Sequence, residues 1–254
     1  MEVKPGYVQT GVGVIPADWE IEELRDFVRY HNSGIYKKRS LYGKGYNIIG
    51  VSDLYNVAKV DGQIFGQVPL LQKELSRYSL QSGELLYAES SLVRDGIART
   101  VYATDRGAST TFAWHTRRYG IDQRRLRSSY LYYYLQSRPA RRHMIEHSIQ
   151  TAITGINTVA YFACPVVIPP PREQDAIAEA LSEADALIES TGQLIIKKRG
   201  LRQGAMQELL TGKKRLPGFE RATGYKQTEV GEIPEDWTVR WTPIVRQPEP
   251  LLKV

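Results

Sequence analysis

Cysteine is almost absent: the 254 residues contain one, Cys164. Such a chain has no internal disulfide, and a cysteine-rich metal site is excluded with it. Long apolar runs are missing too. No stretch of about 18 apolar residues occurs, so nothing reads as a membrane-spanning helix. The opening MEVKPGYVQT lacks the basic-then-apolar order of a secretory signal. A reducing cytoplasm is therefore the expected compartment.

Catalytic motifs are equally scarce. TGKKR, from Thr211, lacks the first glycine and the hydroxyl residue of the phosphate-binding G-x-x-x-x-G-K-[ST] loop. YGKGYN, around Lys44, has two glycines without the spacing or the strand-to-helix context. The Asn/Asp-Pro-Pro-aromatic tetrad of amino-methyltransferases does not occur, and IPPPRE does not replace it. One short match stands out. HMIEH, from His143 to His147, fits the H-x-x-E-H pattern of a class of zinc peptidases. On a helix the two histidines would share a face and Glu146 would polarise a metal-bound water. No third ligand is recognisable, and the alternative is two surface histidines in a basic region. Cys164 lies in the apolar YFACPVV and reads as a core residue, and His31 and His115 lack triad partners. The chain is expected to perform no chemistry alone and to bind no metal and no cofactor.

What is present is positive charge, +6 overall and unevenly placed. Between Arg94 and Arg142 lie eleven arginines, no lysine and three aspartates, a window net charge of +8. Planar guanidinium groups fork onto phosphate oxygens and guanine edges. With so few acids in the window, nucleic acid is favoured over a solvated surface of scattered ion pairs.

The chain's texture changes along its length. WEIEELRDFV suggests a strand entering a short helical turn. From about 30 to 125, YNIIGVSDL, ELLYAES, ARTVYAT and TTFAWHT read as short strands, with a hairpin turn at Asp61-Gly62. In STTFAWHTRR, strand alternation places Thr111, Ala113, His115 and Arg117 on one face. Phe112 and Trp114 read as core rather than as stacking platforms. SSYLYYYLQSRPARRHMIEHSIQ takes helical spacing, broken or kinked by Pro139, with its tyrosines mostly packing. TVAYFACPVVI returns to a strand-like run that ends in Pro169, Pro170 and Pro171.

The clearest element follows, one long helix from about 172 to 210. Ala180, Leu187, Leu194 and Leu201 recur every seven residues, flanked by Leu181, Ile188, Ile195 and Leu209. A heptad seam of about 55–60 Å needs a partner helix, the other reading being a core helix folded back on the basic domain. Then the opening returns. GYVQTGVGVIPADW, from Gly6, and GYKQTEVGEIPEDW, from Gly224, share 10 of 14 positions at a shift of 218 residues.

Together these stretches resemble the specificity subunits of Type I restriction–modification systems. The resemblance rests on the repeated leader, the PPPREQDAIAEALSEADALIE entry to the helix and the LLTGKKRLPGF exit. TAITGIN (Thr151–Asn157) and SGELLYAES add to it. It implies a mixed α/β (α+β) target-recognition domain followed by a conserved helix that forms a coiled coil with a partner helix. The expected division is a leader at 1–19, a DNA-binding domain at 20–170, the helix at 171–216 and, at 217–254, the start of a second repeat with a poorly ordered, truncated tail. The partners implied are double-stranded DNA, a modification subunit that carries S-adenosylmethionine and methylates adenine, and a restriction subunit. With one domain and one helix, two copies are expected to pair as a homodimer on a palindromic split site. The alternative is a stand-alone DNA-binding protein or inactive gene fragment that recruits no enzyme. Candidate DNA contacts are Tyr36, Lys37, Lys38, Arg39, Arg94, Arg99, Thr111, His115, Arg117, Arg118, Arg124 and Arg125.

Overall fold

The computed structural model describes residues 4–220 and 224–240. The leader contains a hairpin of β1 (Tyr7–Thr10) and β2 (Gly13–Pro16). It is closed by the Thr10 hydroxyl donating to the Gly13 carbonyl (2.6 Å). β3 (Glu20–Glu23) then runs into a 3₁₀ turn at Leu24–Phe27, as expected, and the chain continues as β4 (Val28–Ser33).

The stretch from 30 to 125 alternates strands with short helices. β5 (Tyr46–Ile49) is followed at once by α1 (Val51–Leu54), so YNIIGVSDL is half strand and half helix. Gly50 opens that helix, its N–H donating to the Asp53 carboxylate (2.8 Å). β6 (Gly66–Val68) pairs with β5, and α2 (Gln72–Tyr78) follows. The chain only bends at Asp61-Gly62, with Gly62 at φ +81°, and the bend joins no two adjacent strands; the neighbouring Val60 bridges to Ala103 instead. β7 (Leu85–Ala88), β8 (Ser90–Ser91) and β9 (Thr100–Tyr102) lead to β10 (Thr111–Phe112) and β11 (Thr116–Ile121). STTFAWHTRR is thus two strands with a turn between them, and Thr111, Ala113, His115 and Arg117 do not share a strand face.

The central sheet has the order β4-β11-β7-β9, all antiparallel. Its inner strand explains the apolar run ELLYA. Leu85 and Tyr87 enter one apolar layer, while Leu86 and Ala88 enter a second on the opposite face. A strand buried on both faces carries no polar alternation. The first layer is rich in tyrosine: Tyr87 stacks on Tyr161 at 3.6 Å, and the Tyr161 hydroxyl meets those of Thr100 (2.8 Å) and Tyr119 (3.0 Å).

α3 (Ser128–Tyr134) buries Tyr130, Leu131, Tyr132 and Tyr134, so YLYYYL is packing, as expected. α4 (Arg138–Glu146) is a separate helix that Pro139 starts rather than kinks, since the first turn has no use for the missing N–H. β12 (Ile149–Gln150) and β13 (Thr154–Gly155) join β8 in a small sheet. TVAYF is helical, not strand-like: Asn157 caps α5 (Thr158–Phe162) by accepting from the Ala160 N–H at 2.8 Å. β14 (Pro165–Ile168) then pairs with β3. Cys164 is fully buried, and burial pushes its thiol up to about 12.

α6 (Pro171–Leu210) is the long helix. Gln174 pins its first turn. Its amide donates to the carbonyls of Arg125 (2.9 Å) and Pro169 (2.8 Å), and its Oε1 accepts from the Arg127 N–H (2.8 Å). By contacts the chain divides into two compact units, 1–183 and 184–254. Within the second, β15 (Tyr225–Thr228) and β16 (Gly231–Pro234) form a hairpin. The poorly ordered tail expected to end the chain, with Pro243, Pro248 and Pro250, lies largely outside the described residues. Among the described residues no helix is long and apolar enough to cross a membrane.

Candidate nucleic-acid interface

Most of the arginine window is already engaged within the protein. β11 carries Arg117 and Arg118 between β4 and β7, which brings distant carboxylates to them. Arg117 pairs with Glu89 (2.6 Å) and donates to the Ser33 hydroxyl (2.7 Å). Arg118 meets Glu84 (3.3 Å) and donates to Asn32 and to the Ser79 and Arg77 carbonyls. Arg118 and Glu84 side chains are only 11% and 3% exposed. Arg125 pairs with Glu22 and lies over the Phe27 ring, and Arg127 pairs with Asp175 (3.0 Å). Arg106 and Arg142 pair with Asp61 and Glu146. The expectation that few acids oppose the window is corrected: the partners come from outside it or, for Arg142, from just beyond its end.

Other candidates fare differently. Thr111 is fully buried, its hydroxyl donating to the Asn47 carbonyl (2.7 Å), and so offers nothing to a ligand. Lys37 is tied to both oxygens of Glu74 at 2.8 Å. Arg99 is partly buried and donates to backbone carbonyls, whereas Arg94 and Arg124 are exposed.

What the structure does bring together is an aromatic and basic tip. The turn between β10 and β11 places His115 at φ 65°, a left-handed conformation that disfavours a residue with a Cβ. Backbone bonds hold it there: Glu89 N–H donates to the His115 carbonyl (2.9 Å), and Trp114 N–H to the Ile35 carbonyl (2.9 Å). Gly34 passes so close beneath that a Cβ would lie 2.1 Å from the Ala113 oxygen. The turn thereby presents Trp114, stacked on His115 at 4.4 Å and meeting Tyr36 edge-on at 5.2 Å. Trp114 is 49% and Tyr36 64% exposed, so the reading of Trp114 as core is overturned, while Phe112 is core. Lys38 and Arg39 follow Tyr36 on the surface, and Tyr42, Lys44 and Tyr46 extend the exposed stretch. These last three were missed; the interleaving of aromatic and basic residues in YKKRSLYGKGY was the signal. Rings and exposed cations on a fixed turn can pack on sugars or bases while neutralising phosphates.

In β4, burial and the Arg117 charge beside it (3.1 Å) lower the pKa of His31. At the His143–His147 pair, His143 Nε2 donates to the Ala160 carbonyl (2.9 Å), Glu146 pairs with Arg142, and the two rings stack at 4.1 Å; among the described residues no further His, Cys, Asp or Glu joins them in a metal-ligating group. Along α6 the seam of Ala180, Leu181, Leu187, Ile188, Leu194, Ile195 and Leu201 is exposed, Leu209 less so. Leu187 and Ile188 are 68% and 71% exposed.

Residues 16–197 match the family model described as Type I restriction modification DNA specificity domain. The chain is 25% identical over 236 residues to the putative type I restriction enzyme MjaX specificity subunit of Methanocaldococcus jannaschii, covering 92% of this chain and 54% of that one. It is also 25% identical over 237 residues to the type I restriction enzyme MjaVIII specificity subunit of the same organism, covering 89% and 48%. The chain thus spans about half the length of these curated relatives. Its fold is similar to the crystal structure of the Type-I restriction-modification system S subunit from M. genitalium, with TM-score 0.52 and 15% identity over 85% of this chain and 49% of that one. It is similar as well to the HsdS subunit from Thermoanaerobacter tengcongensis, with TM-score 0.51 and 14% identity over 80% and 47%.

Proposed function

The chain belongs to the family of Type I restriction modification DNA specificity domains, and from that premise we propose that residues 20–170 read one half of a split DNA site. The observation that carries this reading is the tip built by Tyr36, Trp114 and His115 with Lys38, Arg39 and Lys44 beside it. Cations there neutralise phosphates and set the register, while the rings and His115 reach base edges and methyl groups in a groove. The fixed backbone of the turn lowers the ordering cost of that contact. No residue of this chain is assigned a bond-making step. Adenine methylation is assigned to a modification subunit that carries S-adenosylmethionine, and cleavage to a restriction subunit where one joins, all in the cytoplasm.

The exposed seam of α6 supports a second part of the proposal. Two copies pair their helices antiparallel about a twofold axis, and their two domains read a palindromic site. Reconstitution with the modification subunit, followed by mapping of methylated adenines across a genome, tests the whole reading. A single bipartite, palindromic motif is expected. Trp114→Ala is expected to blur that motif. Lys38→Ala weakens binding to all sequences alike and lowers the salt slope by about 0.9, the share of one neutralised phosphate. An unchanged motif and affinity in both variants would remove the tip from the interface.

A further inference from the structure

A different group of side chains lines a cavity of ≈ 460 Å³ that the reading above leaves without a role, among them Tyr55, Asp95, Arg99, Thr100, Gln136 and Arg141. Two guanidinium groups border it, and backbone carbonyls hold both. Arg99 donates through Nε to Leu54 (3.2 Å) and through Nη2 to Val57 (3.3 Å). Arg141 donates through Nη2 to Asp95 (2.8 Å). Neither forms an ion pair among the described residues, unlike their neighbours Arg106, Arg117, Arg118 and Arg142. Asp95 lines the same cavity and forms no ion pair with either among the described residues. Burial, and then the Arg99 charge, push the Arg141 pKa down, with Tyr161, Tyr55 and Asp95 acting the other way. A guanidinium offers five N–H donors, so most of Arg141's stay free for a ligand. Two partly buried guanidinium groups against the one carboxylate of Asp95 leave net positive charge at the cavity, which a bound anion would offset.

The cavity has a neighbour that says more about the ligand. Tyr55, whose hydroxyl is within hydrogen-bonding distance of the Ser90 and Gly96 carbonyls (3.2 and 3.0 Å), also lines a mainly apolar cavity of ≈ 540 Å³ with Val51, Leu92, Val93 and Ile153. Leu92 stands almost fully exposed on a turn that Ser91 locks, its hydroxyl donating to the Val93 carbonyl (2.6 Å). A fork for oxyanions beside an apolar slot suits a charged head on a flat or apolar body.

We propose that Arg99 and Arg141 bind the phosphate of a phosphate ester whose organic part lies in the apolar cavity beside Tyr55. Two sources share that chemistry, a backbone phosphate of bound DNA and a free nucleotide. Only the first rests on the proposed function.

The test uses the full chain, inorganic phosphate, 2′-deoxyadenosine 5′-monophosphate and a DNA duplex, followed by calorimetry and thermal melting. Nucleotide is expected to bind and to raise the melting midpoint. Arg141→Gln weakens it by about ten- to a hundred-fold, the loss of charge-assisted hydrogen bonds. Arg141→Lys recovers only part, because an ammonium lacks the fork. Leu92→Asp, a surface change that does not endanger the fold, weakens nucleotide while sparing inorganic phosphate. If DNA is the source, the nucleotide competes with duplex and Arg141→Gln lowers the salt slope of duplex binding by about 0.9. If free nucleotide is the source, duplex binding is unchanged by the variant. Nucleotide binding in a chain that binds no duplex would defeat the proposed function and leave this site standing. Phosphate, nucleotide and duplex binding all indifferent to Arg141→Gln and Leu92→Asp would overturn the site.

Discussion

Arg118 sits in the sheet as a counter-ion. Its partner Glu84 also accepts from the Tyr30 hydroxyl (2.6 Å) and the Gln81 N–H (2.8 Å), so both carboxylate oxygens are engaged when Arg118 is present. Removing the guanidinium leaves a buried charge without its counter-charge, which typically costs about 3–5 kcal/mol. Arg118→Ala is therefore expected to lose that much in urea denaturation, while Arg94→Ala, on the surface, stays within about 0.5 kcal/mol. Equal, small losses would show that the pair is not a stabilising element. An Arg117/Arg118 double variant would consequently lose DNA binding by unfolding, and says nothing of a phosphate contact. This is also where the sequence is least legible. Glu84 and Glu89 precede the window that holds Arg118 and Arg117, and only the β7–β11 register brings them together. The exposure of Trp114 is hidden for a related reason: strand alternation does not carry through a turn that His115 makes by adopting a positive φ.

α6 shows the opposite balance between local pattern and tertiary context. Its seven-residue repeat is local information, and the helix appears where that repeat places it. Its anchor is not visible in the repeat, because Gln174 is polar and only the carbonyls of Arg125 and Pro169 make it a buried pin. The short helices α1 and α5 were equally hidden, being only four and five residues long. At that length periodicity cannot separate helix from strand, and the cap residues Gly50 and Asn157 decide instead. Exposure along the seam gives a direct prediction. In sedimentation the wild-type chain is expected at twice its own mass at micromolar concentration. Leu187→Lys combined with Leu194→Lys should return it to a single chain mass without changing the melting of residues 20–170. A wild-type chain that sediments alone would end the homodimer proposal.

Across the whole chain, the two related 14-residue stretches fold alike. Tyr7 pairs with Pro16 and Tyr225 with Pro234, the same register 218 residues on. The closing bonds repeat as well: Ala17 N–H to the Gly6 carbonyl and Glu235 N–H to the Gly224 carbonyl, both 2.9 Å. The surroundings do not repeat. In the first copy the Trp19 indole donates to Glu173 at the start of α6 (3.1 Å). In the second, Trp237 lies under Arg215, which holds Asp236 through two bonds of 3.1 and 2.9 Å. The hairpin is thus a local code, and its docking is supplied by the segment it meets. Gly212 permits the second docking. It adopts φ 71°, and a Cβ there would lie 2.3 Å from Pro234 Cγ. Gly212→Val adds both the clash and a backbone strain of about 1–3 kcal/mol, so the second hairpin should come away from residues 211–216. Limited trypsin digestion is expected to cut faster at Lys213, Lys214 and Lys226. The melting of residues 20–170 should stay at the wild-type temperature, because none of the altered contacts involves them. A single melting transition lowered throughout would show instead that the hairpin and the recognition domain are stabilised as one cooperative unit.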